Sequence, residues 1–449
     1  MEVRKKLFGT NGIRGIPNEF LTTELAMRMG QSIAEVFSQG PIVMGKDTRS
    51  SGDMIFAAVS SGIMSVGLDV IDLGILPTPA LQYYCKSRKL FGVIITASHN
   101  PPEFNGIKCI DKDGTELGDE KEIQIEKVYN AGKYNTAGWD QIGTLSTDRT
   151  ATDQYIKGIM SIIDVDAIRK MKYRVAVDSG NGASYITTPT LLRLLGCEVV
   201  ELNTFPDGHF TSRSSEPKPE NLVDLMSLMK TKRFNLGIAH DGDADRVVFA
   251  DEQGNFIDGD RSLSLIVKFH AGKGDVVVTP VSSSDAIDEL SQVNGFKLLR
   301  TRVGAPIVSR TLIGSHGKLG GEENGGVIFG RHQYCRDGAM TVGLMLDLMA
   351  KSRKSVSDLI SDLPQFFMCR STVHSMDRSP SLILEELEDR FKGFRIDRTD
   401  GLKIYFPDGW VLVRASGTEP IIRIYGQSKS ESKARELNRK IYDLMQSHS

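Results

Sequence analysis

Three aspartates alternate with small residues in the segment Asp241-Gly-Asp-Ala-Asp-Arg, which follows the run Phe234-Asn-Leu-Gly-Ile-Ala that predicts a buried strand. In an extended or gently curved loop alternate side chains share one side, so the carboxylates of Asp241, Asp243 and Asp245 can converge. Converged carboxylates repel each other unless a cation joins them, and hard oxygen ligands favour Mg²⁺ or Ca²⁺ over zinc. The segment lacks the later glutamate and the length of an EF-hand loop. It therefore predicts a Mg²⁺-type site rather than a solvated acidic turn.

A hydroxyl, an imidazole and an amide follow one another in Thr96-Ala-Ser-His-Asn-Pro, at the end of the apolar run 91–95. Ser98 is either a capping serine at a strand-to-helix turn or the carrier of a phosphoryl group. A metal loop and a phosphate loop elsewhere in the chain favour the second interpretation. The chain has no GxSxG motif, which argues against a serine hydrolase. His99 need not be the base of Ser98, because adjacent side chains often point apart.

Phosphate-binding groups are concentrated in Arg414-Ala-Ser-Gly-Thr-Glu-Pro. An arginine offers a bidentate fork to phosphate, and a glycine lets backbone N–H groups approach an anion closely. The segment predicts a phosphate site, or alternatively a hairpin turn with a surface arginine. The residues involved are Arg414, Ser416, Gly417 and Thr418, with Arg423 on the next strand.

Carboxylate and amide groups lie among glycines in Gly320-Gly-Glu-Glu-Asn-Gly-Gly. Such groups accept and donate hydrogen bonds in pairs, which suits sugar hydroxyls. Glu322, Glu323 and Asn324 therefore predict sugar recognition on a loop with flexible glycines, or else a mobile surface loop.

The elements that must position these segments repeat along the chain. Apolar strands are predicted at 42–45, 174–177 and 275–278, and a strand opened by glycine follows each of them about 20 to 25 residues later. This spacing suits a βαβ crossover. Each copy continues to a third strand and one of the polar segments, and ligands of open α/β sheets bind beyond the carboxyl ends of strands. Three related α/β domains are predicted, although α/β proteins in general share this pattern.

The last eighty or so residues follow a different pattern. Helical patterns at 381–391 and about 430–446 flank strand-like pieces at 402–406, 410–414 and 421–425. They predict a small α+β domain whose strands enclose the phosphate segment.

Length and composition exclude several classes of protein. The 449 residues allow about three or four domains, and a net charge of −2 argues against nucleic-acid binding through bulk positive charge. Five scattered cysteines indicate free thiols in a reducing compartment. The N-terminus lacks the apolar stretch of a signal peptide, and no apolar run reaches about 18 residues. We expect a cytoplasmic protein that binds neither membrane nor nucleic acid.

The four segments, in this order and with the opening Phe8-Gly-Thr-Asn-Gly-Ile-Arg-Gly, resemble the α-D-phosphohexomutase superfamily over essentially the whole chain. The nearest resemblance is to archaeal-type phosphomannomutase/phosphoglucomutase and phosphoglucosamine mutase proteins. The resemblance implies an α/β fold of three related α/β domains with mixed sheets, plus a C-terminal α+β phosphate-binding domain, around one cleft. We place these domains at 1–150, 151–252, 253–366 and 367–449.

The resemblance also implies an intramolecular phosphotransferase. Such an enzyme interconverts hexose 1-phosphate and hexose 6-phosphate through phosphoserine and a 1,6-bisphosphate, which also serves as activator. Ser98 would be the phosphoserine and would bind Mg²⁺ together with the three aspartates. Further implied residues are Arg14 and Lys108 near the reacting phosphate, Arg246 in the metal loop, Glu322 and Asn324 on the sugar, and Arg414, Ser416, Gly417, Thr418 and Arg423 on the other phosphate.

Two departures from the family pattern leave questions open. Some members carry Ser-Gly-His where this chain has Asn324-Gly-Gly, and some carry a histidine at the position of Ala305. The general base must then be Lys108, His99 or another group, and the preferred hexose phosphate can be that of mannose, glucose or glucosamine. Alternatives are a strict phosphoglucosamine mutase, a metal-dependent sugar phosphatase and a non-catalytic sugar-phosphate sensor. A homodimer is also possible.

Overall fold

The computed structural model describes residues 7–9, 11–231, 233–374, 379–415 and 421–446. These residues form two compact units. One contains the described residues up to Ser262 together with Asn324–Leu359, and the other contains Leu263–Glu323 and the described residues from Ile360 onward. None of the helices in these ranges is both long enough and apolar enough to cross a membrane.

The first α/β domain surrounds a six-stranded mixed sheet. Its elements are β1 (Ile13–Gly15), α1 (Thr23–Phe37), β2 (Ile42–Lys46), α2 (Gly52–Ser65), β3 (Val70–Ile75), α3 (Thr78–Arg88), β4 (Gly92–Ile95), β5 (Asn105–Ile110), α4 (Asp119–Ala131) and β6 (Leu145–Thr147). The strand order is β1-β5-β4-β2-β3-β6. Strand β2 pairs in parallel with both β3 and β4, whereas β5 pairs antiparallel with β4 and with β1.

Helix α1 shows how local sequence sets these elements. The hydroxyl of Thr22 accepts a hydrogen bond from the N–H of Leu25 at 3.1 Å, which caps the start of the helix. Gly30 then lets α1 approach α2 closely, since a Cβ atom there would lie 2.2 Å from the carbonyl oxygen of Val59. The apolar face between these helices and the sheet is the core of the domain.

The second α/β domain repeats the arrangement. Its elements are α5 (Ala151–Met160), α6 (Val165–Met171), β7 (Arg174–Asp178), α7 (Thr188–Leu194), β8 (Glu198–Leu202), α8 (Val223–Met229), β9 (Leu236–His240), β10 (Val247–Ala250) and β11 (Phe256–Ile257). The strand order is β11-β10-β9-β7-β8, and β7 pairs in parallel with β8 and β9. The first strand of the repeat is again central, and the third is again followed by an antiparallel partner.

A third copy continues the pattern with α9 (Gly259–His270), β12 (Val276–Pro280), α10 (Ala286–Asn294), β13 (Lys297–Thr301), α11 (Ala305–Gly314) and β14 (Leu319–Glu322). Strand β12 pairs in parallel with β13 and β14. The predicted threefold repeat is therefore confirmed by identical pairing of three first strands. The chain then returns to the first unit with β15 (Gly326–Phe329), α12 (Gly338–Ser352) and most of α13 (Val356–Ser361).

The C-terminal domain is an antiparallel sheet with helices on one face. Its elements are β16 (Phe367–His374), α14 (Pro380–Arg390), β17 (Arg395–Asp397), β18 (Leu402–Phe406), β19 (Gly409–Ala415), β20 (Ile421–Ser428) and α15 (Glu431–Gln446), with strand order β16-β20-β19-β18-β17. Val411 and Val413 face these helices. Trp410 and Leu412 alternate with them and pack on Val281. The predicted α+β domain is confirmed, and β16 and β17 are additional strands.

Candidate functional site

Ser98 lies in a tight turn between β4 and β5. The residue is fully buried and its backbone is left-handed, with φ 53°. Its N–H donates to the hydroxyl of Thr96 at 2.9 Å. Because the next element is a strand, Ser98 does not cap a helix, and that alternative is excluded.

The carboxylate loop follows β9 in the second repeat. Ligand oxygens of Asp241, Asp243 and Asp245 lie within 4.8 Å of one another, and all three residues are buried. The predicted convergence is confirmed, but by a turn with a left-handed Ala244 (φ 57°) rather than by an extended loop. Gly242 brings this turn against the serine turn, since a Cβ atom there would lie 2.5 Å from the carbonyl oxygen of Ser98.

The two turns meet at the serine hydroxyl. Ser98 Oγ donates to Asp241 Oδ2 at 2.9 Å and lies 3.3 Å from His99 Nδ1, so the adjacent histidine does face the serine. Burial, Asp245 and Asp243 raise the pKa of Asp241 well above its usual range. Three carboxylates in this space thus need a proton or a cation to coexist.

The oxygen set fits a hard divalent cation. Asp243 Oδ2 accepts from Thr78 Oγ1 at 2.7 Å and from Lys108 Nζ at 2.8 Å. The Oδ1 atoms of Asp243 and Asp245 are buried without a hydrogen-bond partner in the described part of the chain. Buried carboxylate oxygens are costly unless a ligand satisfies them, and Mg²⁺ prefers such ligands.

Cationic side chains surround the carboxylates. Arg14 donates to the carbonyl of Ala97 and to the side chain of Asn100, and Lys108 is paired with Asp243. The Arg246 guanidinium lies 3.8 Å from Asp245. Arg246, burial and Arg14 together hold the pKa of His99 well below its usual range, so its imidazole is uncharged at neutral pH.

Thr78 and Arg336 are functional candidates that the sequence patterns did not identify. Thr78 also donates its N–H to the Asp243 carbonyl at 3.0 Å, and Arg336 donates to Asp245 Oδ2. Thr78 stands just beyond the carboxyl end of β3, so a search of every parallel strand end could have found it. Arg336 lies beyond β15 in a segment without a recognisable pattern.

The predicted sugar segment is more ordered than its glycines suggested. Gly320 and Gly321 belong to strand β14, so the expectation of a loop with flexible glycines is wrong there. Glu322 ends this strand, is buried, and accepts from the N–H of Gly304 at 3.1 Å.

The segment from Asn324 onward belongs to the first unit. Asn324 Oδ1 accepts from the N–H of Gly326 at 3.1 Å. The Gly325 carbonyl accepts from the N–H of Val247 at 3.1 Å, which places this end of the segment directly beside the carboxylate loop.

The predicted phosphate segment begins at the end of β19. Arg414 faces Arg423 of β20 across the sheet, and its Nε donates to Asp400 Oδ2 at 2.9 Å. Asp400 also accepts from the N–H of Val303 at 3.0 Å. Ser416, Gly417 and Thr418 lie outside the described residues.

Family models match nearly the whole chain. The chain belongs to the phosphoglucomutase/phosphomannomutase family, whose α/β/α domains I, II and III match residues 5–136, 153–254 and 258–367, and whose C-terminal domain matches 375–444. The architecture is thus three α/β domains followed by a C-terminal α+β domain with an antiparallel sheet.

Individual relatives agree with this assignment. A phosphoglucomutase/phosphomannomutase of Thermococcus kodakarensis is 45% identical over 96% of both chains. A probable phosphoglucosamine mutase of Methanopyrus kandleri is 41% identical over 98% of both. The crystal structure of a phosphoglucomutase/phosphomannomutase family protein from Burkholderia thailandensis superposes with a TM-score of 0.86 at 26% identity, covering 98% of this chain and 97% of that one. The chain is a phosphohexomutase, an intramolecular phosphotransferase.

Proposed function

We propose that Ser98 carries the phosphoryl group and that the enzyme interconverts the 1- and 6-phosphates of mannose, glucose or glucosamine. The observation that carries this proposal is the serine hydroxyl, buried at 2.9 Å from one of three converged carboxylates. The relatives' names support the choice of sugars, since one is named for glucose and mannose phosphates and another for glucosamine phosphate. A strict phosphoglucosamine mutase is the alternative.

Asp241, Asp243 and Asp245 would hold Mg²⁺ beside Ser98. The buried Oδ1 atoms of Asp243 and Asp245, which have no hydrogen-bond partner among the described residues, support this assignment. When bound, the cation supplies charge stabilisation to the oxygens of the transferring phosphoryl group. Lys108 keeps Asp243 charged and in place through its 2.8 Å contact.

The remaining chemistry is positioning and charge compensation. In the first transfer the bond from phosphorus to Ser98 Oγ breaks as a bond to the free sugar hydroxyl forms, which gives a hexose 1,6-bisphosphate. The second transfer runs the same exchange at the other phosphate and restores phosphoserine. Arg14 and Arg246 offset the developing negative charge. In the first transfer the sugar hydroxyl gives up its proton and Ser98 Oγ takes one up, and the second transfer moves a proton the opposite way. His99 Nδ1, 3.3 Å from Ser98 Oγ, is placed to give Oγ its proton and to take it back.

The substrate is held by groups outside this centre. Glu322 and Asn324 would bind sugar hydroxyls, for which carboxylate and amide groups are suited. Arg414 and Arg423, with Ser416, Gly417 and Thr418, would bind the phosphate that is not being transferred. Added hexose 1,6-bisphosphate should activate the enzyme, because it phosphorylates Ser98.

Intact-mass analysis and initial rates test this proposal directly. Protein incubated with glucose 1,6-bisphosphate should gain one phosphoryl group, and Ser98→Ala should gain none. Ser98→Ala should also lower kcat by at least about 1,000-fold, because a covalent carrier has no substitute. Ser32→Ala, a buried serine that donates to the Arg28 carbonyl at 2.8 Å, is the matched control.

Rates with mannose, glucose and glucosamine 1-phosphates decide among the substrates. Turnover with glucosamine 1-phosphate alone would select the alternative. Full turnover of Ser98→Ala would remove the phosphoserine mechanism, and release of inorganic phosphate without isomerisation would indicate a phosphatase.

A further inference from the structure

A buried ion pair contacts the backbone of the serine turn and includes none of the side chains assigned above to metal, phosphate or sugar binding. Asp47 follows β2, and Arg49 stands two residues later. Arg49 Nε lies 3.1 Å from Asp47 Oδ2, and the backbone N–H of Arg49 donates to Asp47 Oδ1 at 3.0 Å. Both side chains are completely buried. The guanidinium is thereby fixed in orientation by its own neighbour.

The Arg49 guanidinium spans the serine turn from end to end. One terminal nitrogen donates to the carbonyls of Ser98 at 2.8 Å and Asn100 at 2.7 Å. The other donates to the carbonyls of Pro101 at 2.6 Å and Phe104 at 2.7 Å. Four carbonyls of one turn thus converge on one side chain, which an arginine can satisfy and a point-charged lysine cannot.

The same pair also holds the other side of the serine. Thr96 Oγ1 donates to Asp47 Oδ2 at 2.6 Å and accepts from the N–H of Ser98 at 2.9 Å. Both backbone polar groups of Ser98 therefore connect to Asp47 and Arg49. A left-handed backbone at a non-glycine residue costs roughly 1–2 kcal/mol and persists only where its surroundings fix it.

The second repeat contains an equivalent pair. Asp178 ends β7, the counterpart of β2, and both of its oxygens lie 3.0 Å from Arg213 Nε. A terminal nitrogen of Arg213 donates to the carbonyl of His240 at 2.6 Å. His240 is the last residue before Asp241, so this pair holds the start of the carboxylate loop. In both repeats, a buried Asp–Arg pair near the central strand's end fixes the loop after the third strand.

We propose that Arg49 and Arg213 are positioning residues that hold the serine turn and the carboxylate loop in the register that phosphoryl transfer requires. The proposal rests on the proposed function of Ser98 and the three aspartates. Neither arginine contacts the Ser98 hydroxyl or the triad carboxylates in any described interaction. Their effect is therefore exerted through backbone placement, for which an error of about 1 Å can cost 100-fold in rate.

Arg49→Lys tests the Asp47–Arg49 pair. It keeps a positive charge beside Asp47 but removes the guanidinium that binds four carbonyls of the serine turn. We expect kcat to fall roughly 100-fold with KM changed less than about threefold, since substrate-binding groups are untouched. Phosphorylation of the variant by glucose 1,6-bisphosphate, followed by intact mass, should slow by a similar factor. Mn²⁺, which binds the same oxygen ligands as Mg²⁺, serves as the probe of the metal site. The Mn²⁺ affinity of the unphosphorylated variant, measured by calorimetry without substrate, should remain that of the unphosphorylated wild type.

Arg300→Lys is the matched control in the third repeat. The Arg300 guanidinium donates to the carbonyls of Pro280 at 3.0 Å, Ser283 at 3.2 Å and Ser284 at 3.0 Å, and it pairs with Asp288. It holds a loop that carries none of the reacting residues. Its replacement should lower thermal stability by an amount comparable to that of Arg49→Lys and leave kcat unchanged.

Arg213→Lys separates the two halves of the proposal. Displacing the start of the carboxylate loop should weaken Mn²⁺ binding by about 10-fold or more, as loss of supporting contacts does at other metal sites. Arg49→Lys should not have this effect. Equal Mn²⁺ affinities for wild type and Arg213→Lys would overturn the assignment of Arg213.

Turnover and phosphorylation of Ser98 are first measured in the wild type. A failure there would contradict the proposed function and is thereby distinguished from a failure of the positioning role. Wild-type kcat in Arg49→Lys, or an equal loss in Arg300→Lys, would overturn the positioning role of Arg49. If Arg49→Lys does not fold, Thr96→Val decides, because it removes the hydroxyl that links Asp47 to the Ser98 N–H and keeps the branched shape of the side chain. A kcat about 10-fold lower at constant KM supports the proposal, and an unchanged kcat overturns it.

Discussion

The charges around Ser98 and those on the C-terminal sheet are organised in opposite ways. At the serine, three carboxylates are interleaved with cations, as in the 2.8 Å contact between Lys108 and Asp243. On the sheet, Arg414 and Arg423 face each other from adjacent antiparallel strands. Like charges in this arrangement are unfavourable. Asp400 offsets part of that cost by holding Arg414 Nε at 2.9 Å.

This difference in charge arrangement leads us to expect ligands of opposite charge in the two regions. The carboxylates attract a cation, whereas the paired arginines attract an anion such as phosphate. Burial also differs: Asp241 and Asp243 are fully buried, whereas the Arg414 side chain is 13% exposed. The first region suits chemistry from which water is excluded, and the second suits a phosphate that binds and leaves.

Removing one carboxylate should break the first region, and this is the largest effect we expect in the comparison. Burial acts to raise the pKa of Asp243, but Lys108 and Thr78 hold it well below its usual range, so the group is charged. Asp243→Asn removes that charge from the cation site. We expect kcat/KM to fall by roughly 100-fold or more, since metal contributions amount to several kcal/mol. Mn²⁺ titration should show weaker binding.

The control for Asp243→Asn is Asp251→Asn, also a buried aspartate of the second repeat. Asp251 accepts from the N–H groups of Gln253 at 2.9 Å and Asn255 at 2.8 Å. It contacts none of the proposed ligands in any described interaction. It should keep wild-type Mn²⁺ affinity. Turnover that survives exhaustive removal of metal from the wild type would contradict the assignment of the carboxylates.

Removing one arginine should weaken the second region by a smaller factor. Arg414→Ala would delete the proposed charge-assisted contact to the phosphate that is not transferred. Loss of such a contact costs roughly 1.5–3 kcal/mol, or about 10- to 150-fold in kcat/KM. KM should rise and kcat should fall, because this contact also aligns the reacting hydroxyl. More bisphosphate should escape during turnover, which can be measured in the reaction mixture.

Ser98 of Arg414→Ala should still be phosphorylated by added bisphosphate, which distinguishes this variant from Asp243→Asn. Arg435→Ala, an exposed arginine of α15 paired with Glu431, is the control and should behave as the wild type. Wild-type kcat/KM and no additional bisphosphate release in Arg414→Ala would exclude this segment as the second phosphate site.

Sequence patterns predicted the repeats because parallel strands buried on both faces consist of short, continuous apolar runs. Strands β2, β7 and β12 were placed within a residue or two for this reason. The residues 367–374 of β16 were not recognised, because half-exposed edge strands carry mixed side chains. Ser98 and the three aspartates were predicted as site residues because they are polar and follow apolar strands, where burial alone would favour apolar side chains.

The contacts between these segments could not be predicted in the same way. The convergence of the aspartates depends on a left-handed Ala244, which nothing in the residue type requires. Arg49 and Arg336 act at positions where an arginine has no distinctive neighbours in sequence. Their roles depend on which loops the fold brings together, and that is a long-range property.

Replacing the buried Lys403 of the C-terminal domain should have the smallest effect on turnover. The environment of Lys403 also differs from that of Lys108 beside Ser98. Lys403 Nζ donates to the carbonyl of Val281 at 3.0 Å and lies 3.7 Å from the centre of the Trp410 ring, whereas the carboxylate of Asp285 is 3.8 Å away. Burial lowers the pKa of Lys403 to about 8, although Asp285 acts to raise it. Unlike Lys108, this ammonium lacks a carboxylate at hydrogen-bond distance among the described residues.

The sign of the resulting pH dependence follows from the two states of Lys403. In the unfolded chain its pKa returns to its ordinary value of 10.5. Between pH 8 and 10.5 the unfolded chain therefore binds a proton that the folded chain has released. The free energy of unfolding should rise through this window, by at most about 1.4 kcal/mol per pH unit from this group. Below the window Lys403 contributes no pH dependence.

Urea unfolding of wild type and Lys403→Met, followed in parallel from pH 7 to 10.5, isolates this contribution, because other titrating groups cancel in the difference. Above pH 8 the urea midpoint of the wild type should rise relative to that of the variant. We expect kcat at neutral pH to be unchanged, since Lys403 contacts none of the proposed phosphate ligands in any described interaction. Midpoints that stay parallel across the range would show that Lys403 is protonated in the folded protein throughout, and that its burial does not lower its pKa.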